Sequence, residues 1–500
     1  MNGASTFQDS YRLMDRRRRM IPAGSDESAA QVPAGQPTAV QTPAGQPSPP
    51  LRSANDQSYR RTVTWSLRHP QRAGRRVLGA GLRAVSAWGI LAVVMFVVPA
   101  TAETPFQTIR GKHITLKADE GSEASLQELV ETFDAAVPQW ERFFELPAGT
   151  LDSWSVDAFV IRESELFRQS GDLPAELNFP FGFASAGNLW VNRQPSDYYT
   201  RHLLLHEGVH ALAIDQFGGA GPSWFAEGMA EMLSVHRGVG RDVQIGIVPQ
   251  SRDAVPYWGR FKRMSQRREE NRVPTLESVL AYPRELNSDV EAYGWSWAAV
   301  MLLAEYPEYR PTLLRAARRG DDPSEAFSAI LRRQIGSAWP IVQARWRLLT
   351  ATLDYGFDWQ EERVPLSIKD GVWNGSPIHK TIQADTGWQS LGGRFAPGTR
   401  LSITPEGRCT LAEEPRPWVS EPPGVTIHYA MDRPLGQLLL CVLPNATEES
   451  DFLEPLRVQP VTSRLDLVID CHCWLLFRIN DHLGDRGNNR GGYQVTVTAE

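Results

Sequence analysis

Two histidines four residues apart, with a glutamate beside the first, make up the run His206-Glu207-Gly208-Val209-His210, an H-E-x-x-H pattern. Residues four apart on a helix share a face, so both imidazoles can present a ring nitrogen to one ion. A further carboxylate, Glu227, follows in Pro222-Ser223-Trp224-Phe225-Ala226-Glu227-Gly228, a short loop away. Catalytic zinc sites typically take three protein ligands and keep one position for water. His206, His210 and Glu227 would supply such a set. Zinc brings the pKa of its water down to about 7, and a nearby carboxylate can take the proton as that water attacks a carbonyl. Glu207 is the candidate for that base. The residue types therefore point to zinc-assisted hydrolysis, with peptide bonds the first substrate to consider and non-peptide amides an alternative.

The flanking residues say how these groups would be held. Pro195-Ser196 offers a helix N-cap, and Gly218-Gly219-Ala220-Gly221-Pro222 breaks the chain afterwards. Between them Leu203, His206, His210, Ala213 and Phe217 fall on one stripe, which puts both histidines on the buried side. Pro222-Ser223 starts a second helix that carries Glu227 and Glu231 on one face.

His206-Glu207-x-x-His210 followed by Trp224-Phe225-x-Glu227-Gly228-x-Ala230-Glu231 resembles the gluzincin metallopeptidases, and within them the bacterial peptidase MA-like group. The motifs span about thirty residues, and the weaker resemblance extends over roughly residues 103–365. It implies zinc bound by His206, His210 and Glu227, with Glu207 as general base. Glu231 matches the position where many gluzincins keep an acidic partner for a histidine ligand, and such partners fix the imidazole tautomer. The segment between His210 and Glu227 is slightly shorter than in the best-known aminopeptidase members, so its loop must be tight.

Around this core, 113–117 and 153–161 read as strands and 126–144 as an amphipathic helix. Gly187–Val191 reads as a short strand just ahead of the zinc helix. It is either an edge that pairs with extended substrate or an ordinary interior strand. The segments 289–305, 311–319, 323–333 and 338–353 read as helices of a lobe forming the far wall of a cleft. A developing oxyanion needs a donor besides the metal. Tyr293 is the best candidate, since gluzincins often use a tyrosine from the helical lobe, although core packing is the plain reading of a tyrosine beside Trp295 and Trp297. His236 is a weaker rival expected on the surface, and Asp215 is expected on the helix surface.

Residues 1–83 carry thirteen arginines against five acids and repeat Pro-Ala-Gly-Gln-Pro at 33–37 and 43–47. Their low apolar content predicts a disordered basic extension. Residues 84–102 are uncharged and mostly apolar, follow Arg75, Arg76 and Arg83, and end Ala100-Thr101-Ala102. This describes a secretory signal peptide, with a membrane anchor as the alternative and a start codon near Val77 as one reason for the long leader. The expected location is periplasmic, cell-surface or secreted. The net charge of −6 gives no reason to expect nucleic-acid binding.

From about residue 366 the texture changes to short alternating strands separated by Gly, Pro and Asp, the pattern of an all-β sandwich. It holds all four cysteines, Cys409, Cys441, Cys471 and Cys473. An oxidising compartment would permit Cys471 and Cys473 to bridge to Cys409 and Cys441. The run Asn480-Asp481-x-x-x-Asp485-x-x-Asn488-Asn489-x-Gly491-Gly492-Tyr493 resembles the galactose-binding bacterial lectins with a calcium-bridged sugar site. That resemblance implies calcium held by Asp481, the Asp485 loop position, Asn488 and Asn489, whose oxygens suit that ion. The family's sugar-contacting His and Gln stand here as Ser420 and Pro423, which puts sugar specificity in doubt.

The expected architecture is an α+β zincin-like catalytic domain (103–365), with strands and a zinc helix before a helical lobe, followed by a lectin-like β-sandwich (366–500). The expected function is an exported zinc peptidase. The competing reading is a non-enzymatic carbohydrate- or surface-binding protein with a degenerate peptidase domain, and the intact His206, Glu207, His210 and Glu227 speak against it.

Overall fold

A computed structural model describes residues 105–286, 289–414, 416–445 and 450–500. The expectations for 1–83 and 84–102 lie outside the described residues. Among the described residues no helix is long and apolar enough to cross a membrane.

The first sheet runs in the order β1 (Gln107–Arg110), β2 (Ile114–Ala118), β3 (Val156–Ile161), β5 (Asn188–Asn192), β4 (Gly182–Ser185). Strands β2, β3 and β5 are parallel, while β1 and β4 pair antiparallel at the two edges. Alternation explains the orientation of β2 and β3: Ile114, Leu116 and Ala118 are buried, as are Val156, Ala158 and Val160. The segment Gly187–Val191 is thus an interior strand, and the edge is β4, which the sequence reading did not identify. Its pattern Gly-Phe-Ala-Ser carries no apolar alternation.

Helix α1 (Glu123–Phe143) buries Leu126, Val130, Phe133, Val137 and Trp140 at helical spacing and is capped by Ser122 Oγ. After the short α2 (Ser164–Ser170) come α3 (Asp197–Phe217) and α4 (Ser223–Ser234). Glycines let these helices approach their neighbours. A Cβ on Gly208 would lie 2.6 Å from Phe133 of α1, and one on Gly228 would lie 2.5 Å from the Ser296 carbonyl oxygen.

A helical region follows: α5 (Arg260–Glu269), α6 (Leu276–Leu280), α7 (Val290–Glu305), α8 (Arg310–Ala317), α9 (Glu325–Ile335), α10 (Trp339–Thr352) and α11 (Trp359–Glu362). The predicted helices of this stretch are present, with ends shifted by a residue or two. Helix α7 is buried almost all round, with Trp295, Trp297, Val300 and Leu302 fully enclosed, and α4 packs along it.

Two short antiparallel pairs, β6 (His236–Arg237) with β7 (Gln244–Ile245) and β13 (Tyr429–Ala430) with β14 (Arg433–Pro434), stand outside the larger sheets. The remainder is antiparallel β-structure, matching the sandwich-like expectation in its two sheets. One holds β8 (Ile378–Gln383), β10 (Arg400–Glu406), β11 (Cys409–Thr410), β12 (Val419–Ser420), β17 (Leu465–Val468) and β19 (Arg490–Ala499). The other runs β16 (Arg457–Pro460), β15 (Leu438–Pro444), β18 (Cys473–Ile479), β9 (Gln389–Phe395). Leu475, Phe477 and Ile479 face the first sheet in a shared core with Leu401, Ile403, Val495 and Val497. The intervening Trp474 and Leu476 face the other way, with Leu439, Cys441 and Leu443, against Ile341, Ala344 and Leu348 of α10. Fully burying each such aliphatic side chain is worth about 1.5–3 kcal/mol, so the β-structure is joined to α10 by an apolar seam. Accordingly the described residues from 105 onward belong to one compact unit, and chain composition changes near 366 without a break in packing.

The expected disulfides do not form. All four cysteines are free thiols. Cys409 and Cys473 lie in the core between the sheets, Cys441 points to the opposite face, and the Cys409 Sγ instead donates to the Tyr493 hydroxyl at 3.3 Å.

Candidate metal centre

Helix α3 starts where Ser196 Oγ accepts the Tyr199 N–H and ends at Gly218, whose φ of 74° allows the left-handed cap. Within it His206 and His210 share a face. Their Nε2 atoms are 3.2 Å apart. Glu227 Oε2, from α4, lies 3.1 Å from His206 Nε2 and 3.5 Å from His210 Nε2. Tetrahedral ligands at ordinary zinc–nitrogen and zinc–oxygen lengths sit about 3.4 Å from one another. The three donors therefore form a triangle of the size a small metal ion requires, and these buried or half-buried groups can bind one.

Electrostatics tie the triangle together. Burial alone would lower the His210 pKa, but the Glu227 carboxylate raises it to about 9. Burial would likewise raise Glu227, yet His210 and His206 hold it down to about 2. Without an ion the site is thus an imidazolium–carboxylate cluster whose proton a metal must displace.

Glu207 is buried and lines a cavity of about 100 Å³ together with Gly182, His206, Glu231, Arg260 and Tyr293. Burial, opposed by His210 and reinforced by Glu227, pushes its carboxyl up to about 8. Gly182 on β4 makes room for it: a Cβ there would lie 2.5 Å from Glu207 Oε1. The Tyr293 ring stands 6.2 Å, centroid to centroid, from that of His206. Burial and the carboxylates of Glu227, Glu231 and Glu207 raise its hydroxyl above the usual phenol range, so it remains a donor at neutral pH.

Glu231 is fully buried behind His206. Its Oε1 accepts from Arg260 Nη2 at 2.6 Å and its Oε2 from Trp258 Nε1 at 3.0 Å. The same Oε1 lies 3.6 Å from His206 Nδ1 and 3.5 Å from Nε2 of His202. Burial opposes ionisation of Glu231, but Arg260 and His202 hold its carboxyl well below the usual range. Glu231 therefore presents a fixed negative charge to the rear of the His206 ring, as expected of an acidic partner.

Two members of this arrangement were not singled out from the sequence. His202 stands four residues before His206 on the same face, so the spacing 202–206–210 was readable. Arg260 meets Glu231 only through the tertiary fold. His236 is buried rather than on the surface: its Nδ1 faces the Ser234 carbonyl oxygen at 2.8 Å, and burial lowers its pKa to about 3. It does not line the cavity. Asp215 is exposed, as expected, and accepts from Trp154 Nε1 at 2.9 Å.

In the β-structure, Asp481 and Asn489 are brought together in a buried pair. Asp481 Oδ2 accepts from Asn489 Nδ2 at 2.9 Å and Oδ1 accepts the His482 N–H at 2.7 Å. Asp485 and Asn488 are exposed. Beside this pair, Asn480 Oδ1 and Asn489 Oδ1 are buried with no hydrogen-bond partner among the described residues.

No family model matches the chain, and no curated protein matches it. Among solved structures it is similar to one described as "EclA N-terminal domain; PllA-like lectin", at 16% identity over 25% of this chain and 96% of that one. The TM-score is 0.20, too low to bear on fold or function.

Proposed function

We propose that this protein is an exported zinc-dependent peptidase of gluzincin type, with His206, His210 and Glu227 holding the ion and Glu207 as general base. The observation that carries the reading is the donor triangle of 3.1, 3.2 and 3.5 Å, with the Glu207 carboxylate on the wall of the adjoining cavity. A zincin-like fold is supported by α3 lying against a mixed sheet whose antiparallel edge strand, β4, runs along the same cavity. The unpaired side of such an edge suits the backbone of an extended peptide.

Bound zinc would supply Lewis acidity and a nucleophile at neutral pH. The chain's own residues do the rest. Glu207, with a carboxyl raised toward neutrality, can accept a proton and later return it to a leaving amine. The Tyr293 hydroxyl, kept protonated, can donate to the oxyanion that develops as the carbonyl is attacked. The Arg260–Glu231 pair keeps a negative charge behind His206 and so fixes the imidazole's orientation. Phe181 and Tyr199 supply apolar wall to the cavity.

The test is peptide-library cleavage by the zinc-loaded full chain against Glu207→Gln at equal zinc content. Cleavage by the native protein that falls by at least about 10²-fold in the variant supports the reading. Silence from both, with zinc bound, would overturn it in favour of a binding protein or a hydrolase of other amides.

A further inference from the structure

On the outer face of the first sheet, away from α3, aromatic rings line up across three strands. Phe159 of β3 stands directly opposite Trp190 of β5, and Trp190 directly opposite Phe183 of β4. The ring centroids are 5.8 Å apart at 17° in the first pair and 6.2 Å apart at 39° in the second. Phe179, from the segment leading into β4, lies 6.3 Å from Phe183 at 23°. Trp190 is buried within this row, whereas Phe183, at its end, keeps 37% of its surface exposed. Among the described residues no strand pairs with the far side of β4, so the row stops at an open edge. Open edges are ordinarily blunted by charged side chains or proline, because they invite another chain to pair. Gly182-Phe183-Ala184-Ser185 carries neither.

The backbone of this edge is free in register with the ring. The Asn192 N–H donates to the Phe181 carbonyl oxygen at 2.7 Å. By the alternation of an antiparallel ladder, Phe183 and Ser185 also turn their backbone groups to β5, while Gly182 and Ala184 turn theirs outward. An extended peptide pairing with those groups sets one of its residues directly opposite Phe183, and directly opposite side chains share a face. Gly182 and Ala184 face α3: a Cβ on Gly182 would lie 2.5 Å from Glu207 Oε1, and Ala184 packs on the core that holds Leu203 and Leu204. Peptide residues opposite these two therefore turn toward the Glu207 cavity. The residue between them turns to the outer face and meets Phe183.

We propose that Phe183, backed by Trp190 and Phe179, is a specificity-determining residue that selects a large apolar or aromatic side chain at the substrate position paired with it; this rests on the peptidase reading above. Aromatic–aromatic and aromatic–β-branched pairs are favourable cross-strand combinations. The exposed part of the Phe183 ring is apolar area that such a side chain removes from water. A small or charged side chain at that position gains neither.

The zinc-loaded full chain and its Phe183→Thr and Phe183→Lys variants are profiled on one peptide library. The same peptides, labelled, are titrated by fluorescence anisotropy against zinc-loaded Glu207→Gln with and without each change. Expected in the native chain is one position that prefers phenylalanine, tyrosine, leucine and isoleucine over glycine and charged residues. Phe183→Thr keeps a strand-forming residue and should reduce that preference about fivefold, in kcat/KM and in affinity. Preferences at the two adjoining positions should stay as they are. Phe183→Lys should turn the same position toward aspartate and glutamate, a reversal that a loss of folding cannot produce. If the native chain cleaves peptides without such a position, or if either variant keeps the native selectivity, this inference falls and the peptidase reading stands. No cleavage by the native chain overturns both.

Discussion

Gly182→Ala tests the site through a residue that touches neither the metal donors nor the solvent-facing chemistry. An alanine Cβ would stand 2.5 Å from Glu207 Oε1, 2.8 Å from its Cγ and 2.9 Å from its Cδ, where ordinary contact begins at 3.4 Å. Three atoms of the glutamate are crowded at once, so a small twist of the carboxylate does not suffice and the side chain must change rotamer. The carboxylate oxygen then moves by roughly 1 Å or more, and a misplacement of that size costs on the order of 10²-fold in rate, or about 2.7 kcal/mol of barrier. The φ of Gly182 is not in the left-handed region, so the backbone tolerates alanine and the folding cost is the ~1–3 kcal/mol of local overpacking. His206, His210 and Glu227 are untouched, so zinc content should equal that of the native protein. The assay is kcat and KM on the best library peptide, with zinc measured on the same sample. Expected is a loss of about 10²-fold in kcat with KM within about threefold. A zinc-replete variant within threefold of native kcat would refute the placement of Glu207 as the base.

Tyr293→Phe should lower kcat by about 10²–10³-fold with unchanged zinc content if its hydroxyl supports the oxyanion; turnover at native level would return Tyr293 to the core. Zinc affinity should depend on pH. The His210 pKa of about 9 lies above its usual value of 6.5, so in the metal-free protein the stabilisation from that proton is complete below about 6.5 and is lost as pH rises through 9. Zinc must displace the proton, so its affinity should rise by up to about tenfold per pH unit from 6.5 to 9 and then level off, as read by competition with a chelator. A flat profile would contradict the cluster described above. A chamber of about 510 Å³ shares Phe181, Tyr199, Arg260 and Val290 with the metal cavity and is also lined by the exposed Lys262 and Arg263. Peptides with acidic side chains near the scissile bond should therefore be preferred, and Lys262→Glu with Arg263→Glu should cut kcat/KM on them about tenfold and raise it on basic ones; an unchanged charge preference would remove these residues from substrate contact.

Helix α3 was legible because everything that defines it is local. Ser196 caps it, Gly218 ends it, and the histidine spacing is a property of helical geometry, so residues 197–217 could be read without knowing what surrounds them. The helices of 290–352 were legible for the same reason, through apolar period and caps. Strand β4 was not, because Gly182-Phe183-Ala184-Ser185 has no alternation, and which strand becomes an edge depends on pairing order across the sheet. The cysteines illustrate the same limit. Alternation gives each side chain a face, but whether two faces meet is decided by how the sheets stack, and here Cys441 is turned away from Cys409 and Cys473.

The three glutamates show most clearly what sequence spacing leaves open. Glu207, Glu227 and Glu231 are the same side chain within one 25-residue stretch, yet their carboxyls are displaced in different ways. Glu207 is enclosed by β4 and is pushed up to about 8, which suits a group that must take and return a proton. Glu227 faces His206 and His210 and is held down to about 2, which suits a permanent ligand. Glu231, one helical turn further on, is fixed as an anion by Arg260 and Trp258 from a segment almost thirty residues away. Spacing could put Glu227 and Glu231 on one face of a helix. Only the arrival of Arg260 separates a carboxylate left facing the His206–His210 pair from one locked behind the His206 ring.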